Sequence, residues 1–172
     1  LDDAPAQAAL KESENRVQSM AMIHQNLYQQ ENLLGVGVKD YLDKLIYHLI
    51  DSYNIEKDRI EIRKRIEIQH LDVDTVIPLA LIINELISNA LKYAFRDGRK
   101  GIIEVSIDKA DGYIHLEVKD NGMGLPGVIQ DRTGNFGFKL IHILSERLGA
   151  KLVVETTGGT SVSLIVPQSK AA

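Results

Sequence analysis

The chain of 172 residues is 44% hydrophobic with a net charge of −4, so it can bury one substantial core and is predicted to be globular. The absence of cysteine excludes disulfides and thiolate metal sites and fits a reducing compartment, predicted to be the cytoplasm. The negative charge argues against nucleic-acid binding, and no apolar run approaches the roughly 18 residues that would predict a membrane segment.

The N-terminal segment is predicted to be a helix over residues 4–30, because it has no glycine and no proline after Pro5. Its heptad a and d positions are Leu10, Ser13, Val17, Met20, His24 and Leu27. So narrow an apolar stripe predicts pairing with another helix, in this chain or in a second copy, rather than burial in a globular core. A second, amphipathic helix is predicted over residues 38–53.

Residues 59–69 switch to an apolar period of two, which predicts one strand or two short ones. A long apolar helix follows over residues 78–95, for which Asp74 or Thr75 is the predicted N-cap. Pro78 is tolerable there because the first amides of a helix have no intrahelical partner.

Two hairpins are predicted in the second half of the chain, around Asp111–Gly112 and around Gly158–Gly159. Between them lie a glycine-containing loop, a polar stretch and a helix over residues 136–148 that Gly149 closes. Helices packed against a mixed, largely antiparallel sheet predict an α+β fold with two layers.

One polar stripe interrupts the apolar helix of residues 78–95. It contains Glu85, Asn89 and Lys92, with Tyr93 at its edge. Because apolar side chains flank the stripe, we expect it to face a pocket rather than open water. A carboxylate, an amide and an ammonium in a row could serve a base, a metal ion and a phosphate, and the alternative is a helix with three solvated polar residues.

Two glycine-containing loops are further candidates for ligand contact. Residues 120–126, Asp-Asn-Gly-Met-Gly-Leu-Pro, leave a predicted strand, and Gly122 and Gly124 there permit positive φ and close approach of a ligand. A simple turn would have a similar sequence. Residues 134–140 run into a helix, whose free amides favour phosphate. Neither a P-loop nor a dinucleotide-binding fingerprint is present.

The order of these motifs carries more information than each alone. Four motifs follow one another along the chain: a Glu-x-x-x-Asn-x-x-Lys-Tyr helix, a hairpin ending in Asp-x-Gly-x-Gly, a glycine loop that opens a helix, and a Gly-Gly-Thr hairpin. Over about residues 60–167 this set resembles the Bergerat-type ATP-binding domain of the GHKL superfamily, which includes sensor histidine kinases, Hsp90-like chaperones, type II topoisomerases and mismatch-repair ATPases.

Two longer stretches resemble one branch of that superfamily more narrowly. They are NRVQSMAMIHQNLY at residues 15–28 and IPLALIINELISNALKYAF at residues 77–95. Both are similar to bacterial histidine kinases of the HisKA_2 type, so the resemblance extends over nearly the whole chain.

The resemblance implies two parts. Residues 1–34 would be the second helix of a dimerisation and phosphoacceptor hairpin, and residues 35–172 the catalytic ATP-binding domain. This domain would bind Mg-ATP and transfer its γ-phosphoryl group to a histidine located upstream. Its implied partners are a second copy, through the N-terminal helix, and a response regulator of a two-component system. The parent protein could be membrane-tethered.

The phosphoacceptor box of the family, of the His-Arg-Val-Lys-Asn-Asn type, does not occur in this sequence. His24 lies in Ile-His-Gln-Asn-Leu-Tyr, which is similar to the second hairpin helix instead, so we interpret it as a packing or polar interface position. Autophosphorylation of these 172 residues alone is therefore not expected.

At the phosphate end of the implied site, Asn89 would ligate the Mg²⁺ that bridges the ATP phosphates. Glu85 would be the catalytic residue that orients or deprotonates the attacking group, and Lys92 would contact phosphate oxygens. Backbone amides near Gly137 would close on the phosphates. Residues 125–135 would form a short lid over ATP.

At the adenine end, the resemblance implies that Asp120 accepts a hydrogen bond from the exocyclic amine, a contact that guanine cannot make. Gly122 and Gly124 would let the base approach, Thr160 would support that end of the pocket, and Tyr93 would pack near the nucleotide. Two alternatives stay open: a nucleotide-responsive interaction module without turnover, and an ATP hydrolase or serine kinase of the same superfamily.

Overall fold

The computed structural model describes residues 3–29, 36–53, 55, 58–125 and 136–168. The helices are α1 (Ala4–Gln29), α2 (Val38–Ser52), α3 (Val73–Asn89, continued by a π-helical turn, Ala90–Ala94) and α4 (Phe136–Arg147). The strands are β1 (Val36–Gly37), β2 (Ile60–Ile66), β3 (His70–Leu71), β4 (Gly101–Ala110), β5 (Tyr113–Asp120), β6 (Lys151–Glu155) and β7 (Thr160–Pro167).

Five strands form one mixed sheet in the order β2-β4-β5-β7-β6, in which only the β2–β4 pair is parallel. Alternate side chains of β4, β5 and β7 are buried, so one face of the sheet meets the helices and the other is open. The predicted α+β, two-layer fold is confirmed. Within the period-two segment at residues 59–69 the structure has one strand, β2, which was one of the two predicted alternatives. The short strand β3 follows that segment and pairs with β1.

Both predicted hairpins form, and each has the turn that its glycines require. Asp111 and Gly112 adopt φ of 54° and 79° between β4 and β5, which is the left-handed pair of a tight hairpin turn. The β5–β7 pairing then sets Asp120 opposite Thr160. The last residue of β5 and the first residue of β7 thus meet at one end of the sheet.

The central helix α3 begins earlier than predicted. Asp72 is its N-cap and accepts a hydrogen bond from the amide of Thr75 at 2.9 Å, so the expectation of Asp74 or Thr75 as the cap is wrong. Pro78 consequently lies inside the helix. Contrary to the expectation that no apolar run approaches the length of a membrane segment, residues Val73–Ala94 are long and apolar enough to cross one. However, 72% of the most apolar window is buried within the fold, as in a core helix.

Helix α1 packs on α2 and α3 through a face that the heptad did not predict. Among the α1 side chains that the structure describes, up to residue 25, the buried ones are Asn15, Ser19 and Ile23, whereas Leu10 and Val17 of the heptad are 63% and 64% exposed. The apolar stripe is thus unpaired within the part of this chain that the structure describes, and its pairing with another helix stays a prediction. The predicted domain boundary after residue 34 lies outside the described residues.

Candidate functional site

A cavity lies where β5 and β7 meet the C-terminal part of α3. Its lining residues are Leu86, Asn89, Ala90, Val118, Asp120, Leu125, Phe138, Thr160 and Val162. The enclosed volume is about 10 Å³, which is room for about one water molecule. Any ring-sized ligand would therefore have to displace a lining side chain. Sequence reasoning missed the aromatic wall, Phe138, because a fully buried phenylalanine in an amphipathic helix has the pattern of an ordinary core residue.

Asp120 is the acidic residue of this cavity. Its Oδ1 accepts hydrogen bonds from the amides of Gly122 at 2.9 Å and Thr160 at 3.3 Å. Burial raises the pKa of Asp120, and these two backbone hydrogen bonds only partly oppose that effect. Because both amides bind Oδ1, a donor from a ligand would be bound by Oδ2. The end of the β5–β7 pair thus presents a buried carboxylate with a fixed orientation.

The glycines around Asp120 have different roles from those predicted. Gly124 has the expected positive φ, 82°, but Gly122 does not, and a Cβ there would overlap the carbonyl of Ala94. Gly122 is therefore required by contact with the end of the π-helical turn, which corrects the expectation of a positive φ. Gly159 was missed as a site residue: its φ is 124°, and a Cβ would overlap the carbonyl of Asp120.

Asn89 and Thr160 bring unpartnered polar atoms to the cavity. The Nδ2 of Asn89 and the Oγ1 of Thr160 are buried and have no hydrogen-bond partner among the residues that the structure describes. Asn89 is the last α-helical residue before the π-helical turn, an irregularity that recurs at functional sites. Buried polar atoms without partners are rare in folded proteins, so both atoms are available to a ligand or to an ordered water molecule.

Asn89 is also the residue that could hold a metal ion. Its Nδ2 suits a phosphate oxygen, and a 180° rotation of the amide would present Oδ1, which is a hard ligand for Mg²⁺. Among the described residues, no group of three or more histidine, aspartate or glutamate side chains could hold a metal ion. The donor set therefore fits an ion shared with a phosphate-bearing ligand, and it does not fit an all-protein site.

Glu85 and Lys92 face helix α1, although they belong to the same stripe as Asn89. Arg16 donates to Glu85 twice, from Nε to Oε1 at 2.6 Å and from Nη2 to Oε2 at 3.0 Å. The Nζ of Lys92 is 2.6 Å from Oε2 of Glu12, and Glu12 also binds Arg16. We call these four residues the α1–α3 ion-pair cluster.

For two members of this cluster, Arg16 and Glu12, the neighbouring charges favour the charged form despite partial burial. Burial alone would lower the pKa of Arg16, but Glu85 and Glu12 outweigh it and raise that pKa above its usual value. Burial would likewise raise the pKa of Glu12, and the neighbouring Lys92 and Arg16 lower it overall. Sequence reasoning missed Glu12 and Arg16, because their i,i+4 spacing has the pattern of a solvated helical pair.

The remaining predicted residues lie around rather than in the cavity. Tyr93 lines a groove of about 520 Å³ between α1 and the end of α3, where the guanidinium carbon of Arg96 lies 4.6 Å from its ring centroid. Gly137 is buried in the first turn of α4, next to Phe138. Of the predicted lid, residues 126–135 lie outside the described residues. His24 is exposed on α1.

Comparisons with known protein families agree with the fold. Residues 74–170 match the family model of histidine kinase-, DNA gyrase B-, and HSP90-like ATPases, and the chain belongs to this family. Residues 1–53 match a second model, HisKA_2, described as histidine kinase. The predicted resemblance to sensor histidine kinases is thereby confirmed.

Individual relatives are histidine kinases as well. The chain is 27% identical over 170 residues to the sensor histidine kinase PdtaS of Mycobacterium tuberculosis, covering 96% of this chain and 34% of that protein. It is 28% identical over 157 residues to blue-light-activated histidine kinase 2 of Erythrobacter litoralis, covering 85% of this chain and 45% of that protein. The chain therefore spans about a third to less than half of these relatives.

A solved structure has the same fold. The histidine kinase domain of the blue-light-activated histidine kinase EL346 from Erythrobacter litoralis matches with a TM-score of 0.80 at 22% identity. The match covers 90% of this chain and 73% of that domain. The arrangement of helices on a five-stranded sheet is therefore one that a histidine kinase domain uses.

Proposed function

We propose that this chain is the ATP-binding catalytic domain of a two-component sensor histidine kinase, which binds Mg-ATP and passes the γ-phosphoryl group to a histidine outside these 172 residues. The observation that carries the proposal is the cavity in which the buried Asp120 carboxylate lies with the unpartnered Asn89 amide. In a nucleotide site, a carboxylate at one end can accept a hydrogen bond from the base, and an amide at the other end can bind phosphate or a metal ion.

The adenine end of the proposed site is selective for adenine over guanine because the Asp120 carboxylate accepts hydrogen bonds and does not donate them. With Oδ1 occupied by two backbone amides, Oδ2 accepts the exocyclic amine of adenine. Guanine has a carbonyl at that position, which would face the carboxylate without a hydrogen bond and leave both acceptors unpaired. The unpartnered Oγ1 of Thr160 supplies a second hydrogen bond at this end.

At the phosphate end, Asn89 would hold Mg²⁺ together with phosphate oxygens. When bound, this ion neutralises charge on the phosphates during transfer. Glu85, buried on the same helix, orients or deprotonates the attacking group, and Lys92 binds phosphate oxygens. The amides near Gly137, in the first turn of α4, favour anionic phosphate.

The proposal extends to the parent protein. A second copy pairs through α1, whose apolar stripe is exposed, and a response regulator receives the phosphoryl group from the histidine. This chemistry belongs in the cytoplasm, where ATP is available.

Calorimetric titration of the chain with Mg-ATP and Mg-GTP tests the proposal. We expect ATP to bind and GTP to bind at least about ten-fold more weakly, the usual discrimination when a buried acceptor is left unpaired. Asp120→Asn should lose about ten-fold in ATP affinity, because an amide can direct donors at the adenine amine.

Asp111→Asn is the matched control. It makes the same substitution in an exposed hairpin turn at a positive φ, a conformation that asparagine tolerates, and should bind ATP like the wild type. The proposal is wrong if the chain binds neither nucleotide, or if it binds ATP and GTP equally well.

A further inference from the structure

The side chain of Asn121 continues the β4–β5 pairing at the point where the chain leaves the sheet. The strand register pairs Ile103 with Asp120, the last residue of β5. One residue further, the amide of Asn121 donates to the carbonyl of Ile102 at 3.3 Å. The amide of Ile102 donates in return to Oδ1 of Asn121 at 2.8 Å. The side-chain oxygen of Asn121 therefore takes the place that a backbone carbonyl would have in an antiparallel ladder.

This exchange of acceptors lets the backbone turn away without leaving an amide of β4 unpaired. A backbone carbonyl of Asn121 directed at β4 would keep the chain in the sheet. Because Oδ1 accepts instead, the chain can cross at once to α3, where the amide of Met123 donates to the carbonyl of Ala94 at 2.9 Å. Asparagine suits the position because its side chain is short and carries an acceptor, which alanine lacks.

Asn121 and Asp120 lie on opposite faces of the sheet. The Asp120 carboxylate is buried and lines the cavity, whereas Asn121 is exposed on the open face and lies outside the set of described residues that line the cavity. The two hydrogen bonds to Ile102 fix the peptide unit that follows Asp120. Asn121 can therefore act on the direction of the carboxylate without touching a ligand.

We propose that Asn121 is a positioning residue for Asp120 and so determines how strongly the site distinguishes adenine from guanine. This inference rests on the proposed function and adds a determinant of its base selectivity. A carboxylate separates the two bases only while Oδ2 is held within hydrogen-bond distance of the exocyclic amine, and a displacement of about 1 Å is enough to lose that contact.

Calorimetric titration of Asn121→Ala with Mg-ATP and Mg-GTP tests the role in base selection. The ratio of ATP affinity to GTP affinity should fall by about three-fold, which is within the range for the loss of one hydrogen bond. The two nucleotides carry the same phosphates, so general effects on phosphate binding cancel in this ratio. Asn121→Asp keeps an acceptor for the amide of Ile102, and it should retain the ratio of the wild type.

Ser106→Ala is the matched control, because it removes a neutral polar side chain from the same open face of the sheet. Its ratio of affinities should equal that of the wild type. A ratio that is unchanged in Asn121→Ala, or that falls equally in Ser106→Ala or in Asn121→Asp, would overturn the role of Asn121 while leaving the proposed function intact. If the wild type binds neither nucleotide, the proposed function fails and base selection fails with it.

Hydrogen exchange reports on the position of Asp120 without any nucleotide. The amides of Gly122 and Thr160 both donate to Oδ1 of Asp120, so their protection depends on where this carboxylate lies. In Asn121→Ala, these two amides and that of Ile102 should exchange faster, while the middle of β4 and β5 stays protected. Ser106→Ala should change none of the three. Faster exchange at Ile102 alone would show that Asn121 holds only the end of β4, and the positioning role would then be wrong.

Discussion

The two adjacent glycines of the β6–β7 turn offer a sharp test of how the proposed adenine end of the site is positioned. Gly158 and Gly159 both have positive φ, 70° and 124°. A Cβ on Gly158 would meet nothing within 4 Å, whereas one on Gly159 would overlap the carbonyl of Asp120. Alanine at position 158 therefore measures backbone strain alone, whereas alanine at position 159 combines a larger strain with contact against the site.

The magnitudes follow from these two environments. Gly158→Ala should lower the free energy of unfolding by about 1 kcal/mol, which is the cost of a positive φ for alanine. Gly159→Ala costs at least that strain, because φ of 124° lies outside the left-handed region, and in addition about 1–3 kcal/mol for forcing a methyl group against backbone that cannot rotate away. At about 2–4 °C per kcal/mol for a chain of this size, Gly159→Ala should lower the Tm by several degrees more than Gly158→Ala.

The same comparison has a functional part. Relief of the overlap must move the end of β5, and with it the Asp120 carboxylate, so Gly159→Ala should weaken ATP binding by about ten-fold, or about 1.4 kcal/mol. Gly158→Ala should retain the affinity of the wild type. Thermal unfolding and calorimetric titration of both variants measure the two effects. If Gly159→Ala is no more costly than Gly158→Ala in either assay, the inferred packing of Gly159 on Asp120 is wrong.

Two further predictions concern the ends of α3 and β5. Asp72→Ala should cost about 1 kcal/mol in urea denaturation because it removes the N-cap of α3, and Asp74→Ala should cost clearly less; equal losses would contradict the cap. Because the pKa of Asp120 is higher in the folded chain than in the unfolded chain, protonation of Asp120 stabilises the fold. This contribution is fully present at pH below the unfolded-state value of 3.8 and is lost as pH rises through the folded-state pKa. Asp120→Asn should therefore unfold less readily than the wild type at neutral pH, and parallel stability profiles between pH 3 and pH 7 would refute this.

Elements with a strong local signal could be predicted closely. The hairpin at Asp111–Gly112 combines alternating apolar residues with a dipeptide whose φ values suit a tight turn, and both signals act within a few residues. The end of α4 at Gly149, with φ of 64°, is local in the same way. Where a few neighbouring residues decide the conformation, the sequence is enough.

The start of α3 was harder because two signals conflict. Pro78 suggested a first turn, yet the helix begins at Val73 with Asp72 as its cap, so the proline lies in the helix interior. Packing of Val76 and Leu79 against the core, both nearly fully buried, offsets the hydrogen bond that Pro78 cannot donate. Tertiary burial of this kind is not visible in a cap motif.

The role of Gly122 illustrates a second limit. A glycine after an aspartate in a loop is consistent with a turn, with a ligand contact or with close approach of another element, and the sequence does not distinguish among these. In the structure the neighbour is the carbonyl of Ala94, and the amide of Met123 donates to that same oxygen at 2.9 Å. The glycine positions Asp120 by letting the end of β5 lie against α3.

The polar stripe of α3 shows most clearly what periodicity can and cannot predict. Helical spacing correctly groups Glu85 and Asn89 as inward-facing polar residues, since both are nearly fully buried. Helical spacing does not predict which residues they contact. Asn89 lines the same cavity as Asp120, while Glu85 is hydrogen-bonded to Arg16, which is 69 residues away in sequence. Because one stripe is divided between the proposed nucleotide cavity and a docked helix, substitutions at Glu85 and Asn89 should not behave as equivalents. Loss of Asn89 removes a contact of the proposed site, whereas loss of Glu85 also leaves Arg16 without its main partner and so changes how α1 is held.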